Sequence, residues 1–79
     1  MSSHAFDVLA KSRTGVEIVH HEEGHRYKFG VVTNASGKRV LADWVEVTAS
    51  AASKRAPEFF SGSARAFATS IAHRIHAID

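Results

Sequence analysis

Two short turn-forming segments, "EEGH" at 22–25 and "TNASGK" at 33–38, constrain this chain more than any other feature. Each lies between runs rich in valine, isoleucine and aromatic residues, which is strand composition. A four-residue loop from Glu22 to His25 sets His21 opposite Arg26 and His20 opposite Tyr27. Ile18 then faces Phe29 and Val16 faces Val31. That register collects the apolar residues on one side, as a half-buried sheet requires. A loop from Asn34 to Gly37 sets Thr33 opposite Lys38, Val31 opposite Val40, Phe29 opposite Ala42 and Tyr27 opposite Trp44. Lys28 meets Asp43 on the other side. Both turns give the same apolar face, so the expectation is a three-stranded antiparallel meander over Val16–His21, Arg26–Thr33 and Arg39–Thr48.

The first turn also contains His21-Glu22-Glu23-Gly24-His25, a literal match to H-E-x-x-H. That zinc-hydrolase pattern works on a helix, where two histidines one turn apart point the same way with the glutamate beside them. Here it spans a hairpin turn, which separates the ligands, and no metal or other cofactor is expected. His20 falls on the core side beside Tyr27 and reads as a partly buried, hydrogen-bonded histidine.

Beyond Thr48 the stretch "ASAASKRA" is small and polar and runs into Pro57, a residue suited to open a helix. Phe60, Ala64, Phe67, Ile71, Ile75 and Ile78 then recur at helical spacing, predicting an amphipathic helix of about five turns. Its apolar stripe is the natural cover for one sheet face. The N-terminal "HAFDVLAKS" fits two forms: Phe6, Leu9 and Ala10 suit a short helix after Ser3, and Phe6, Val8 and Ala10 suit an extra strand. The fold expected is one small α+β domain over residues 1–79: a three-stranded antiparallel β-meander with one long C-terminal helix packed on one face.

With a helical N-terminus, the α-β-β-β-α order resembles the double-stranded-RNA-binding domain, which would imply duplex RNA contacts from its helices and first hairpin loop. The lysine-rich, small-residue helix start of that family is replaced here by "APEFFSGSAR", so no functional residue carries over.

There are no cysteines among the 79 residues, which removes thiolate metal sites and cysteine nucleophiles. No apolar leader or membrane-length stretch is present, and a cytoplasmic, membrane-free protein is expected. Glycine-rich phosphate loops, a nucleophile elbow and paired carboxylates on converging elements are also missing, so enzymatic activity is not expected.

Two functions fit what is left. The side of the meander away from the helix should display Val19, Val32, Leu41, Val45 and Val47, more apolar surface than a monomer usually leaves wet. That face, or an exposed edge strand, suits a noncatalytic protein-interaction module whose partner is another protein or a second copy. The alternative is a nucleic-acid-binding domain. From Ser50 to Ile78 the cations Lys54, Arg55, Arg65 and Arg74 face only Glu58, and His73 and His76 lie three residues apart beside them. The first is preferred because the formal charge is only +2 and no aromatic platform accompanies those cations.

Overall fold

The computed structural model describes residues 5–79. Its order is β1 (Phe6–Ser12), β2 (Gly15–His20), β3 (Arg26–Thr33), β4 (Arg39–Thr48), a 3₁₀ turn (Pro57–Phe60) and α1 (Ser61–Arg74). The strands form one antiparallel sheet in the order β1-β2-β3-β4. The α+β class and the single C-terminal helix are as expected, but the sheet has four strands rather than three. The N-terminal segment is the extra strand, so the α-β-β-β-α order required by the RNA-binding resemblance is not present among the described residues. The helix start at Ser3 lies outside them.

β1 belongs to the sheet because Phe6 has a place in the core. Its ring meets His20 edge-on at 5.0 Å and stacks on Phe67 at 5.7 Å. Leu9 is the extra residue of a β-bulge between Val8 and Ala10. The bulge explains why neither simple period describes this segment.

The first hairpin keeps a four-residue loop, but one residue earlier than expected. His20 pairs with His25, donating its N–H to the His25 carbonyl at 2.8 Å, and Gly24 closes the turn at φ 80. The β2–β3 register is therefore Val16↔Phe29, Glu17↔Lys28 and Ile18↔Tyr27. A slip of two residues leaves every side chain on its expected face. Val16, Ile18, Tyr27 and Phe29 accordingly become fully buried.

The second hairpin departs by one residue, and that matters more. Asn34 Oδ1 accepts the N–H groups of Ser36 and Lys38 at 2.9 and 3.0 Å, making Thr33 pair with Arg39 instead of Lys38. A one-residue slip exchanges the faces of a strand. Leu41 turns to the helix side opposite Val31, and Trp44 moves to the outside. The register then shifts again across from Gly30, where Ala42, Asp43 and Trp44 occupy one interval of β3, before Phe29↔Val45 and Tyr27↔Val47 resume.

α1 covers the sheet through Ala64, Ala68, Ile71 and Ala72, with Phe60, Phe67 and Ile75 half-buried alongside. Alanines at four-residue intervals hold no bulk between helix and sheet. The helix ends earlier than the apolar stripe suggested. Ala77 donates to the Ala72 carbonyl at 2.8 Å and His76 to that of His73 at 3.1 Å, with His76 at φ 60. These are the two bonds of a Schellman cap, which turns the chain so that Ile78 still enters the core. Asp79 then ties onto the start of β4: its N–H reaches the Arg39 carbonyl at 3.0 Å, and its carboxylate accepts the Arg39 N–H at 2.9 Å. No helix among the described residues is long and apolar enough to cross a membrane.

Candidate functional site

The zinc-hydrolase match is taken apart by the hairpin that contains it. His21 lies in the turn, exposed, and its Nδ1 meets Asp7 Oδ2 at 2.8 Å. That carboxylate, through its hydrogen bond and its charge, raises the His21 pKa above the ordinary value. His25 opens the β3 side of the turn with the parity of Tyr27 and Phe29, so it points inward and is 1% exposed. Its Nδ1 accepts the Ser50 N–H at 2.9 Å and its Nε2 donates to the Arg55 carbonyl at 2.8 Å. These two partners require the neutral ring with its proton on Nε2. A short hydrogen bond from Ser53 Oγ to Glu23 adds a second tie to the same connection. His25 is thus the anchor for the 49–56 connection, a role the sequence did not signal. His20 is buried as expected, tilted against Phe60 at 4.2 Å, with Nδ1 accepting the Glu23 N–H. Among the described residues no three histidines or carboxylates converge as metal ligands.

The cationic residues do not converge either. Arg65 Nη2 donates to the carbonyls of Ala42 and Asp43 at 2.8 and 3.0 Å, while its guanidinium lies 5.2 Å over the Phe29 ring. Arg55 stacks over Phe59 at 4.6 Å, close to Lys54 at the N-terminal end of α1. His73, Arg74 and His76 sit at its other end, roughly 20 Å away at 1.5 Å per residue. His76 lies past the helix end in a left-handed conformation, so the i, i+3 alignment with His73 does not form.

The proposed apolar face is divided as well. Val19 and Val32 do lie on the outer side of the sheet, away from α1. Leu41 is 8% exposed in the core, and Val45 packs half-buried against that core opposite Phe29. Val47 is on the helix side too, across from Tyr27, although it remains 41% exposed. In place of these three, the slip of β4 puts Trp44 on the outer face.

Trp44 is 55% exposed, with the far end of its ring over Gly30. A Cβ at Gly30 would come within 2.8 Å of ring atoms Cη2 and Cζ2. Gly15 is the cross-strand neighbour of Gly30, and a Cβ there would meet the Phe29 carbonyl oxygen at 2.7 Å. The two glycines leave a floor without side chains, forming a shallow groove of about 400 Å³ with Trp44 on one flank and Ser12 on the other. Along the groove runs a row across the whole sheet, Ala10–Glu17–Lys28–Glu46. Its alternating charges are adjacent, yet the ion pairs among the described residues are His21–Asp7 and Arg39–Asp79. Glu17, Lys28 and Glu46 therefore make no ion pair among the described residues.

The sheet edges are less open than this face. At β4, Asp79 occupies the Arg39 backbone and Arg65 occupies two carbonyls. At β1, the Leu9 bulge and Lys11 interrupt the edge. Bulges, charges and covered backbone all oppose strand addition.

No protein-family model, curated protein or solved structure matches this chain.

Proposed function

We propose that this chain is a noncatalytic protein-interaction module and that it engages its partner with the outer face of the sheet, anchored on Trp44. The observation that carries this reading is the placement of the chain's single tryptophan outside the core on a floor of glycines. Exposed tryptophan surrounded by polar residues is the composition of an interaction hot spot, where one aromatic anchor is sealed by a charged rim. Val19 and Val32 extend the apolar part of that face. The protected edges favour the face over strand addition. The nucleic-acid alternative, through Lys54, Arg55, Arg65, His73, Arg74 and His76, has less in its favour. Arg65 is committed to β4, and the remaining cations are divided between the two ends of α1.

The test is photocrosslinking in cells with a photoreactive amino acid at Val32, which leaves Trp44 intact. A defined protein adduct is expected, lost when Trp44→Ser is added, and not formed from Ser70 on the exposed side of α1. An adduct indifferent to Trp44→Ser, or equal yields from Val32 and Ser70, would overturn the reading.

A further inference from the structure

The outer face is complementary to itself. Its charged row reads acid, base, acid across β2, β3 and β4, and the glycine row beside it leaves an open trough toward β1. We infer that this face docks a second copy of the same chain, sheet against sheet, about a twofold axis parallel to the strands and lying between β2 and β3. This rests on the reading of the outer face as the interaction surface, and it names the partner.

The charges admit two axes, this one and one between β3 and β4 that sets Lys28 against the partner's Glu46; the second overlaps only two strands, so overlap selects the first. With the axis between β2 and β3, β2 of one copy lies over β3 of the other. Glu17 then faces the partner's Lys28, and Lys28 faces the partner's Glu17. An axis running along β2 would stack glutamate on glutamate at position 17, and one along β3 would stack lysine on lysine at position 28. An axis across the strands through that row would oppose every charge to its own copy. The central axis also overlaps all four strands.

Shape agrees with charge. Under the same operation the Trp44 ring over Gly30 comes opposite the partner's Gly15, whose missing side chain leaves room for it between the sheets. The Trp44 backbone on β4 comes opposite β1 of the other copy, while its ring reaches inward over Gly30. Each tryptophan already has ring atoms against Gly30 and stays 55% exposed. Docking covers this exposed aromatic surface twice, once for each copy.

The footprint sets the strength. Four strands about 4.8 Å apart and about 20 Å long give roughly 400 Å² per copy, or about 800 Å² in all, below the roughly 1,200 Å² of stable specific interfaces and in the range of transient ones. The dimer is therefore a weak, concentration-dependent one. Opposing charges on the rim give it orientation more than affinity.

Sedimentation equilibrium between about 10 µM and about 1 mM protein tests this, using wild type, Glu17→Lys and Lys28→Glu, each alone and the two variants mixed in equal amounts. Wild type should associate. Each variant alone opposes like charges across the axis, and its dissociation constant should rise at least about tenfold. The equimolar mixture should recover association, because every contact in the mixed dimer again joins opposite charges. Mixing leaves the pairing within each chain unchanged, so recovery reports contact between chains. Trp44→Ser, which alters no charge, should also be monomeric and serves if a charge variant loses its dispersed amide spectrum. A monomeric wild type overturns the proposal, as does a mixture no more associated than its parts. If wild type is monomeric while the Trp44-dependent crosslink from Val32 joins a different protein, the second copy is refuted and the interaction module stands. If that crosslink is missing too, both fall.

Discussion

Replacing His25 with alanine removes two hydrogen bonds and a buried ring at one stroke. The imidazole accepts the Ser50 N–H and donates to the Arg55 carbonyl, so both ends of the 49–56 connection hang from it. Leaving a partly buried N–H without an acceptor costs about 1–3 kcal/mol. Emptying the space of a ring that lies 6.2 Å from Phe60 adds about 1–2 kcal/mol. The connection would regain some freedom and let water in, so about 2–4 kcal/mol is the expected loss. Against a total stability of roughly 4–12 kcal/mol for a chain this size, that is a large fraction. Urea denaturation followed by circular dichroism measures it directly, and the melting temperature should fall by roughly 10–25 °C. His21→Ala, at the other end of the H-E-x-x-H match, removes an exposed ring and should shift the curve far less. Added zinc should alter neither wild type nor variant. A loss below about 1 kcal/mol for His25→Ala, or equal effects at the two histidines, would refute the anchoring role.

Three further outcomes follow from particular contacts. His21 has a raised pKa because of Asp7, so its protonated form favours the fold. The stability advantage of wild type over His21→Gln should be full below pH 6.5, the ordinary value, and fade as pH rises through the higher folded value; a pH series of thermal melts reads this, and a pH-independent difference would contradict it. His76→Gly should stabilise the protein by about 1 kcal/mol in urea titrations, because His76 holds the left-handed position of the helix cap and glycine bears no Cβ penalty there. Gly15→Ala should be more destabilising than Gly30→Ala, since the first forces a Cβ against backbone and the second only displaces the Trp44 ring. Gly30→Ala should also change the tryptophan emission, which comes from Trp44 alone.

The legible parts of this fold were those governed by period and composition. Strand runs beside Gly24 and around Asn34 announced β2, β3 and β4, and the stripe through Ala64, Phe67 and Ile71 announced α1. What escaped were the places where one extra residue changes the geometry. Leu9 bulges out of β1, so the segment alternates imperfectly and helix and strand looked equally good. The loop after Thr33 closes one residue later than its simplest form, and that single step carried Leu41 inward and Trp44 outward. Gly30 was the available sign, because an isolated glycine inside a strand marks a bulge or a close approach. The buried His25 had no such sign. Its inward direction follows from the turn starting one residue earlier, and polar residues in a turn look solvent-facing until the register is known. For the candidate site, the residues of the expected outer face were counted in the wrong register, and Leu41, Val45 and Val47 lie on the helix side.

The most direct measurement is an NMR dilution series on labelled protein, following the Trp44 indole N–H and the amides of Glu17, Lys28 and Gly30 from about 1 mM down to about 10 µM. The account predicts progressive shifts at these outer-face positions, with the α1 amides of Thr69 and Ser70 unmoved. Outer-face signals that stay fixed across the series, or shifts centred on α1 instead, would contradict it.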